Sequence, residues 1–183
     1  MFKSFLRDRL IDLKRGLLTL PEGLDILFSV VVFLIYISVA LCIGLYSGFM
    51  KIKVLTTGTW VMIFLPISLF FVPSLFEEMF FRGLLLPHKS RATSNRLLLL
   101  YSVFSIFIFI AWHPINAATI NLPAFAVFTN LVFLCFAALM GIACTITYLK
   151  TGSIWVPVVI HWLTVLAWVF FFNGRNFVFD IAQ

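Results

Sequence analysis

No Lys, Arg, Asp or Glu occurs between residues 97 and 149, and three further charge-free runs cover residues 26–50, 54–76 and 151–174. Such runs restrict the chain to one solvent. With 63% apolar and 11% charged residues and a mean hydropathy of +1.13, too few polar side chains exist to clothe a water-exposed surface. A membrane-crossing helix needs about 20 apolar residues, so the pattern predicts an all-α fold, a polytopic transmembrane helical bundle. Five spans are expected, at 26–49, 57–86, 97–118, 124–149 and 154–172, with the longest run divided at Asn121-Leu122-Pro123. A sixth arises if Pro66 and Pro73 break the second span in two. The organisation is then an amphipathic N-terminal helix at 1–20 and a single membrane-embedded domain at 21–183.

The first residues have a different character. Phe2, Phe5, Leu6, Leu10, Leu13 and Leu17 recur at helical spacing, while Lys3, Arg7, Arg9, Lys14 and Arg15 occupy the other positions. This predicts a helix lying on the membrane interface, with a partner-binding amphipathic helix as the competing reading. Its mixed charges replace the apolar core of a secretory signal, so no cleavage is expected. Lys and Arg number five in this segment, three in the 87–96 loop and one at Lys150, against Lys51, Lys53 and Arg175 on the other side. The asymmetry predicts a cytoplasmic N-terminus, and the compact size favours a bacterial inner membrane. The formal charge of +6 reads as attraction to anionic lipid headgroups of the bilayer, with no feature pointing to nucleic acid. Cys42, Cys135 and Cys144 form no close ligand pair and are expected to be small core residues. The sequence carries no signal of oligomeric state.

Within these runs the few polar side chains carry the functional information. Glu77, Glu78 and Arg82 lie in Phe76-Glu77-Glu78-Met79-Phe80-Phe81-Arg82-Gly83, His113 in Ala111-Trp112-His113-Pro114, and His161 in Ile160-His161-Trp162. Each charge at mid-membrane costs at least ~2.5–3.5 kcal/mol and persists only when paired or beside a wet cavity. At ~1.5 Å per helical residue, Glu77, His113 and His161 lie ~15, ~25 and ~12 Å from their nearest N-terminal-side loops. They can therefore meet at one level, nearer that side of the membrane. Glu78 and Arg82, four apart, share a helix face and neutralise one another, whereas Glu77 points about 100° away. A carboxylate left without its own cation near imidazoles is suited to general-base work on water. Pro114 lacks an N–H and frees a carbonyl one turn earlier, which places His113 at a break that protein or water must satisfy. Packing glue between helices is the structural alternative for any one of these residues.

The order Glu77-Glu78-x-x-x-Arg82-Gly83, Phe109-x-x-x-His113, then Thr151-Gly152-Ser153-Ile154-Trp155-Val156-Pro157 leading to His161 resembles the CPBP (CAAX protease and bacteriocin-processing, or Abi) intramembrane endopeptidases. The resemblance runs from about Phe64 to Trp168. It implies peptide-bond hydrolysis inside the membrane, with Glu77 and His113 activating water, His161 helping to stabilise the oxyanion, and Glu78 with Arg82 holding the site together. Many relatives carry Asn or Asp four residues after the last His, where this chain has Val165. Thr164 or Asn116 is then the candidate for the missing donor.

The expected function is an intramembrane endopeptidase acting on a membrane-associated peptide or protein, of the glutamate type and without a cofactor. A zinc version would use Glu77, His113 and His161 as its ligands. The runner-up is a non-cleaving binding or immunity protein of the same fold, which Val165 supports. A proton-coupled transporter is a third reading, weakened by the lack of a second acidic relay and of an internal repeat.

Overall fold

A computed structural model describes residues 2–174, with side chains from residue 5 onward. Arg175, counted above for orientation, and the side chains of Phe2 and Lys3 lie outside what is described. The chain forms α1 (Phe2–Leu18), α2 (Gly23–Tyr46), α3 (Thr59–Leu84), α4 (Asn95–Thr119), α5 (Leu131–Thr151) and α6 (Trp155–Phe171). The chain is thus all-α and crosses the membrane repeatedly. Four helices, α2 to α5, have the length and apolarity of a full span, and α6 is shorter at 17 residues. Their apolar side chains point outward in quantity: Leu24, Leu27, Leu34 and Ile35 on α2 are all at least half exposed. That distribution is stable in hydrocarbon and not in water.

Two expected boundaries change. The second segment remains one kinked rod and supplies no sixth span. Val72 takes an extended backbone (φ −129°, ψ 114°), as a residue before proline is pushed to do, and flanking wide turns at Phe70–Leu75 and Met79–Leu84 absorb the bend. The fourth span begins at Leu131 and not at 124. Residues 122–128 instead form two short helical turns, and the Asn130 side chain accepts the Val132 N–H (2.9 Å), capping α5 at its start. At its other end α5 stops at Gly152, whose φ of +70° favours glycine and lets the chain turn straight into α6. Of the three cysteines only Cys144 lies in the core, while Cys42 and Cys135 are exposed on the helix surfaces.

Helix α1 has three faces where the sequence suggested two. Leu6 and Leu10 are exposed and the basic residues Arg7, Lys14 and Arg15 are exposed, but Arg9, Asp12 and Gly16 are buried against the ends of α3 to α6. Asp12 binds the Arg91 Nε through both oxygens (3.1 and 2.8 Å) and pairs with Arg9 (3.2 Å). The Ile154 N–H donates to the Gly16 carbonyl (3.0 Å), and the Trp155 indole donates to that of Leu17 (2.9 Å). Leu13 packs where Gly83 has no side chain, an approach a Cβ would block. One end of the bundle is therefore closed by its own N-terminal helix.

His88 sits in this junction as a neutral imidazole. Its Nδ1 accepts the Ser90 N–H (3.2 Å), and its Nε2 faces the Thr19 hydroxyl (3.3 Å), whose own proton goes to the Arg15 carbonyl. Burial pushes its pKa below the ordinary imidazole value, opposed by the Gly152 carbonyl and Asp12 and reinforced by Arg15 and Lys89. A folded-state pKa below the unfolded one stabilises the fold above about pH 6.5, and that share is lost as the pH falls further. Acidification to about pH 5 is thus expected to lower the unfolding midpoint. His88→Gln should remove part of that slope, and an unchanged slope would disprove the assignment.

Candidate active site

The polar side chains of four helices meet around one layer of the bundle. Arg82, fully buried on α3, donates to Glu78 Oε1 (2.9 Å) and to the Gly141 carbonyl of α5 (3.2 Å), and its guanidinium lies 4.5 Å over the Phe109 ring of α4. The four-residue spacing predicted the first contact; the other two fix the guanidinium to neighbouring helices. Glu78 Oε1 also accepts the Nδ1–H of His161 on α6 (2.8 Å). Because a carboxylate can only accept, this bond places a proton on Nδ1 and turns Nε2 toward Glu77, whose Oε2 is 4.0 Å away. His161 therefore stands between the two glutamates, hydrogen-bonded to Glu78.

Glu77 has a different environment from Glu78. Its Oε1 accepts the indole N–H of Trp112 on α4 (3.0 Å), and its buried Oε2 has no hydrogen-bond partner among the described residues. His113, next to Trp112, points its Nδ1 at the Phe109 carbonyl one turn back (2.9 Å). The Phe109 carbonyl has a second lone pair for the imidazole, and the carbonyl that Pro114 leaves without an N–H, that of Ile110, is its neighbour. With Nδ1 donating, Nε2 is left as an acceptor. The ring is wedged edge-on among Phe109, Phe128 and Phe133, with centroids 5.0 to 5.4 Å away.

Glu77, His113 and His161 line one cavity of about 500 Å³, together with Trp112, Asn116, Thr164 and Val165. Its volume is in the range of small-ligand and substrate pockets, about 300–1,000 Å³. The five residues singled out from the sequence thus fall into two sets: Glu77, His113 and His161 on the cavity, and Glu78 with Arg82 behind it in full burial. Of the two suggested replacement donors, Thr164 already gives its proton to the Ile160 carbonyl (2.8 Å).

Two further polar residues were not anticipated. Trp112 fixes Glu77, and its only sequence signal was its place beside His113. Tyr36 of α2 is 5% exposed and lines the cavity, with its hydroxyl against that of Thr164. Nothing in an apolar span sets such a tyrosine apart from packing aromatics. Among the described residues no three His, Cys, Asp or Glu side chains converge closely enough to hold one ion. Glu77, His113 and His161 are thus not gathered as one ligand set in this arrangement, and no step below is routed through a metal.

A family model described as type II CAAX prenyl endopeptidase Rce1-like matches residues 57–167. The matched stretch begins two residues before α3 and ends inside α6, so it contains Glu77, Glu78, Arg82, Trp112, His113 and His161 but not Tyr36. No curated protein and no solved structure matches the chain significantly.

Proposed function

Because the chain belongs to the type II CAAX prenyl endopeptidase Rce1-like family, a family of proteases, we propose that it hydrolyses a peptide bond of a membrane-associated peptide or protein by water activated between Glu77 and His113. The observation that carries this reading is the pose of Glu77 at the cavity: one oxygen is held by Trp112, the other has no hydrogen-bond partner among the described residues, and His161 Nε2 stands 4.0 Å away. A base must be fixed yet keep a free lone pair for the proton it takes.

In the proposed reaction Glu77 removes a proton from a water that also donates to His113 Nε2. The hydroxide attacks the scissile carbonyl and forms a tetrahedral intermediate. The proton taken by Glu77 passes to His161 Nε2, 4.0 Å away, and His161, whose other nitrogen Glu78 holds in place, donates it in a hydrogen bond to the oxyanion beside the Tyr36 hydroxyl, where relatives carry Asn or Asp. Donors fixed in a water-poor pocket act most strongly on charge that develops only in the transition state. The proton then passes from His161 to the leaving amine, and the C–N bond breaks. Arg82 neutralises Glu78 and ties it to α4 and α5 without touching substrate. The Lys and Arg excess on the α1 side supports an N-terminus on the cytoplasmic face of the membrane.

The test compares the peptide termini of membranes with and without this chain. At least one terminus is expected to shift in its presence, and the shift should survive exhaustive chelation. Loss of activity on chelation would move the reading to the zinc version with Glu77, His113 and His161. Val165 favours a second reading, a binding or immunity protein that cuts nothing. Its mark would be a partner that co-purifies at full length.

A further inference from the structure

We infer that the catalytic cavity is reached from the membrane face opposite α1, and that its occupant is an apolar peptide stretch presented in that half of the bilayer. The nature of the occupant rests on the peptidase reading; the route does not.

The asymmetry is set by the position of each lining residue along its helix. On α3, which runs toward α1, the cavity residues Leu69, Pro73 and Glu77 all precede Glu78 and Arg82. On α4, which runs away from α1, they are Trp112, His113 and Asn116, followed by Asn121 beyond the helix end. Helix α6, also leading away from α1, contributes from His161 through Trp168 and on to Phe172. On α2 the lining begins only at Tyr36, past the middle of the helix, and continues to Met50 beyond its end. Helix α5 supplies the cavity from Phe133 to Met140, its half nearer Asn121. Among the described residues, none that lines the cavity comes from the α1 side of the Glu78–Arg82 layer.

That side is packed solid. Arg82, Leu86, Tyr148, Ile154 and Val158 have no exposed surface. Beneath them α1 is held by the bonds from Ile154 and Trp155 to its Gly16 and Leu17 carbonyls, by Leu13 against Gly83, and by Gly16 against Tyr148. Although Glu77 is nearer the α1 end of its helix, a peptide cannot reach it from there without displacing α1. On the other side the walls are apolar, with Leu41, Leu69, Phe136 and Trp168 lining the cavity beyond its polar floor. A strongly polar chain would be desolvated there without compensation, whereas an apolar stretch fills the walls and brings a backbone carbonyl to Glu77 and His161.

The test reads cysteine accessibility in sealed vesicles, using a membrane-impermeant cationic methanethiosulfonate added to one side at a time. The background carries Cys42→Ala and Cys135→Ala, the two exposed cysteines. Lys89→Cys marks the α1 face, Asn121→Cys marks the opposite face, and Val165→Cys, one turn above His161, reports the cavity. Val165→Cys is expected to react from the face where Asn121→Cys reacts and to stay unmodified from the face where Lys89→Cys reacts. Reaction from the Lys89 face, or from neither, overturns the route. If Val165→Cys reacts as expected but no peptide in the membrane is cut, the route stands and the peptidase reading falls.

Discussion

Glu77→Gln is expected to abolish peptide cleavage while leaving the fold intact, with turnover falling by about 10²–10⁴-fold, the usual contribution of a positioned general base. Glutamine keeps the size of the side chain, and its amide oxygen can still accept the Trp112 indole N–H. What it cannot do is take a proton from water. Stability should barely change, because the carboxylate oxygen that becomes an amide nitrogen has no hydrogen-bond partner to lose among the described residues. Trp112→Phe provides the contrast: it frees Glu77 without removing it, so the rate falls less and the wild-type cut is retained. The measurement is turnover on the substrate found by comparing membrane termini, beside the unfolding midpoint of the same sample. Wild-type turnover in Glu77→Gln would remove Glu77 as the base, and a lowered midpoint would show that its role is structural.

The site was legible because of the medium in which it sits. In a soluble protein Glu77, Glu78 and Arg82 would be lost among surface charges, but in an apolar run each signals a partner or a cavity. The helical period then separated Glu78, which faces Arg82, from Glu77, and the geometry keeps that division. Trp112 and Tyr36 were illegible for the opposite reason. Aromatic residues are common in this chain, and the hydrogen bond of one indole or phenol depends on a helix distant in sequence. The polar face of α1 was misread on the same ground. Arg9 and Asp12 look like solvated charges until Arg91, 79 residues after Asp12, is brought beside them. Asn130, by contrast, stood before an apolar run with the chemistry of a helix cap and could have placed the start of α5. The direction of the cavity could not be read from depth alone, because it depends on which end of the bundle α1 covers.

The second large effect is expected on stability. Arg82→Met should cost about 3–5 kcal/mol, the range for removing one partner of a buried ion pair. The substitution withdraws a guanidinium held at 2.9 Å by Glu78 and at 3.2 Å by the Gly141 carbonyl, in a place with no access to water. Methionine fills much of the volume against Phe109, so the loss is electrostatic more than one of packing. Glu78 then remains as a buried carboxylate with only the His161 imidazole as a partner. The double variant Glu78→Gln/Arg82→Met removes both charges but keeps an amide oxygen to accept the His161 Nδ1–H. It should therefore recover most of the lost stability, since replacing both members of a buried pair is often close to neutral. Activity need not recover with it. A neutral amide holds the His161 ring in place but offers less to a positive charge that His161 gains as it meets the oxyanion, so turnover should stay below wild type. Unfolding midpoints in detergent micelles, measured for both single variants and the double, give the coupling directly. An Arg82→Met protein as stable as wild type, or a double variant no more stable than Arg82→Met, would mean that this pair does not hold the bundle together.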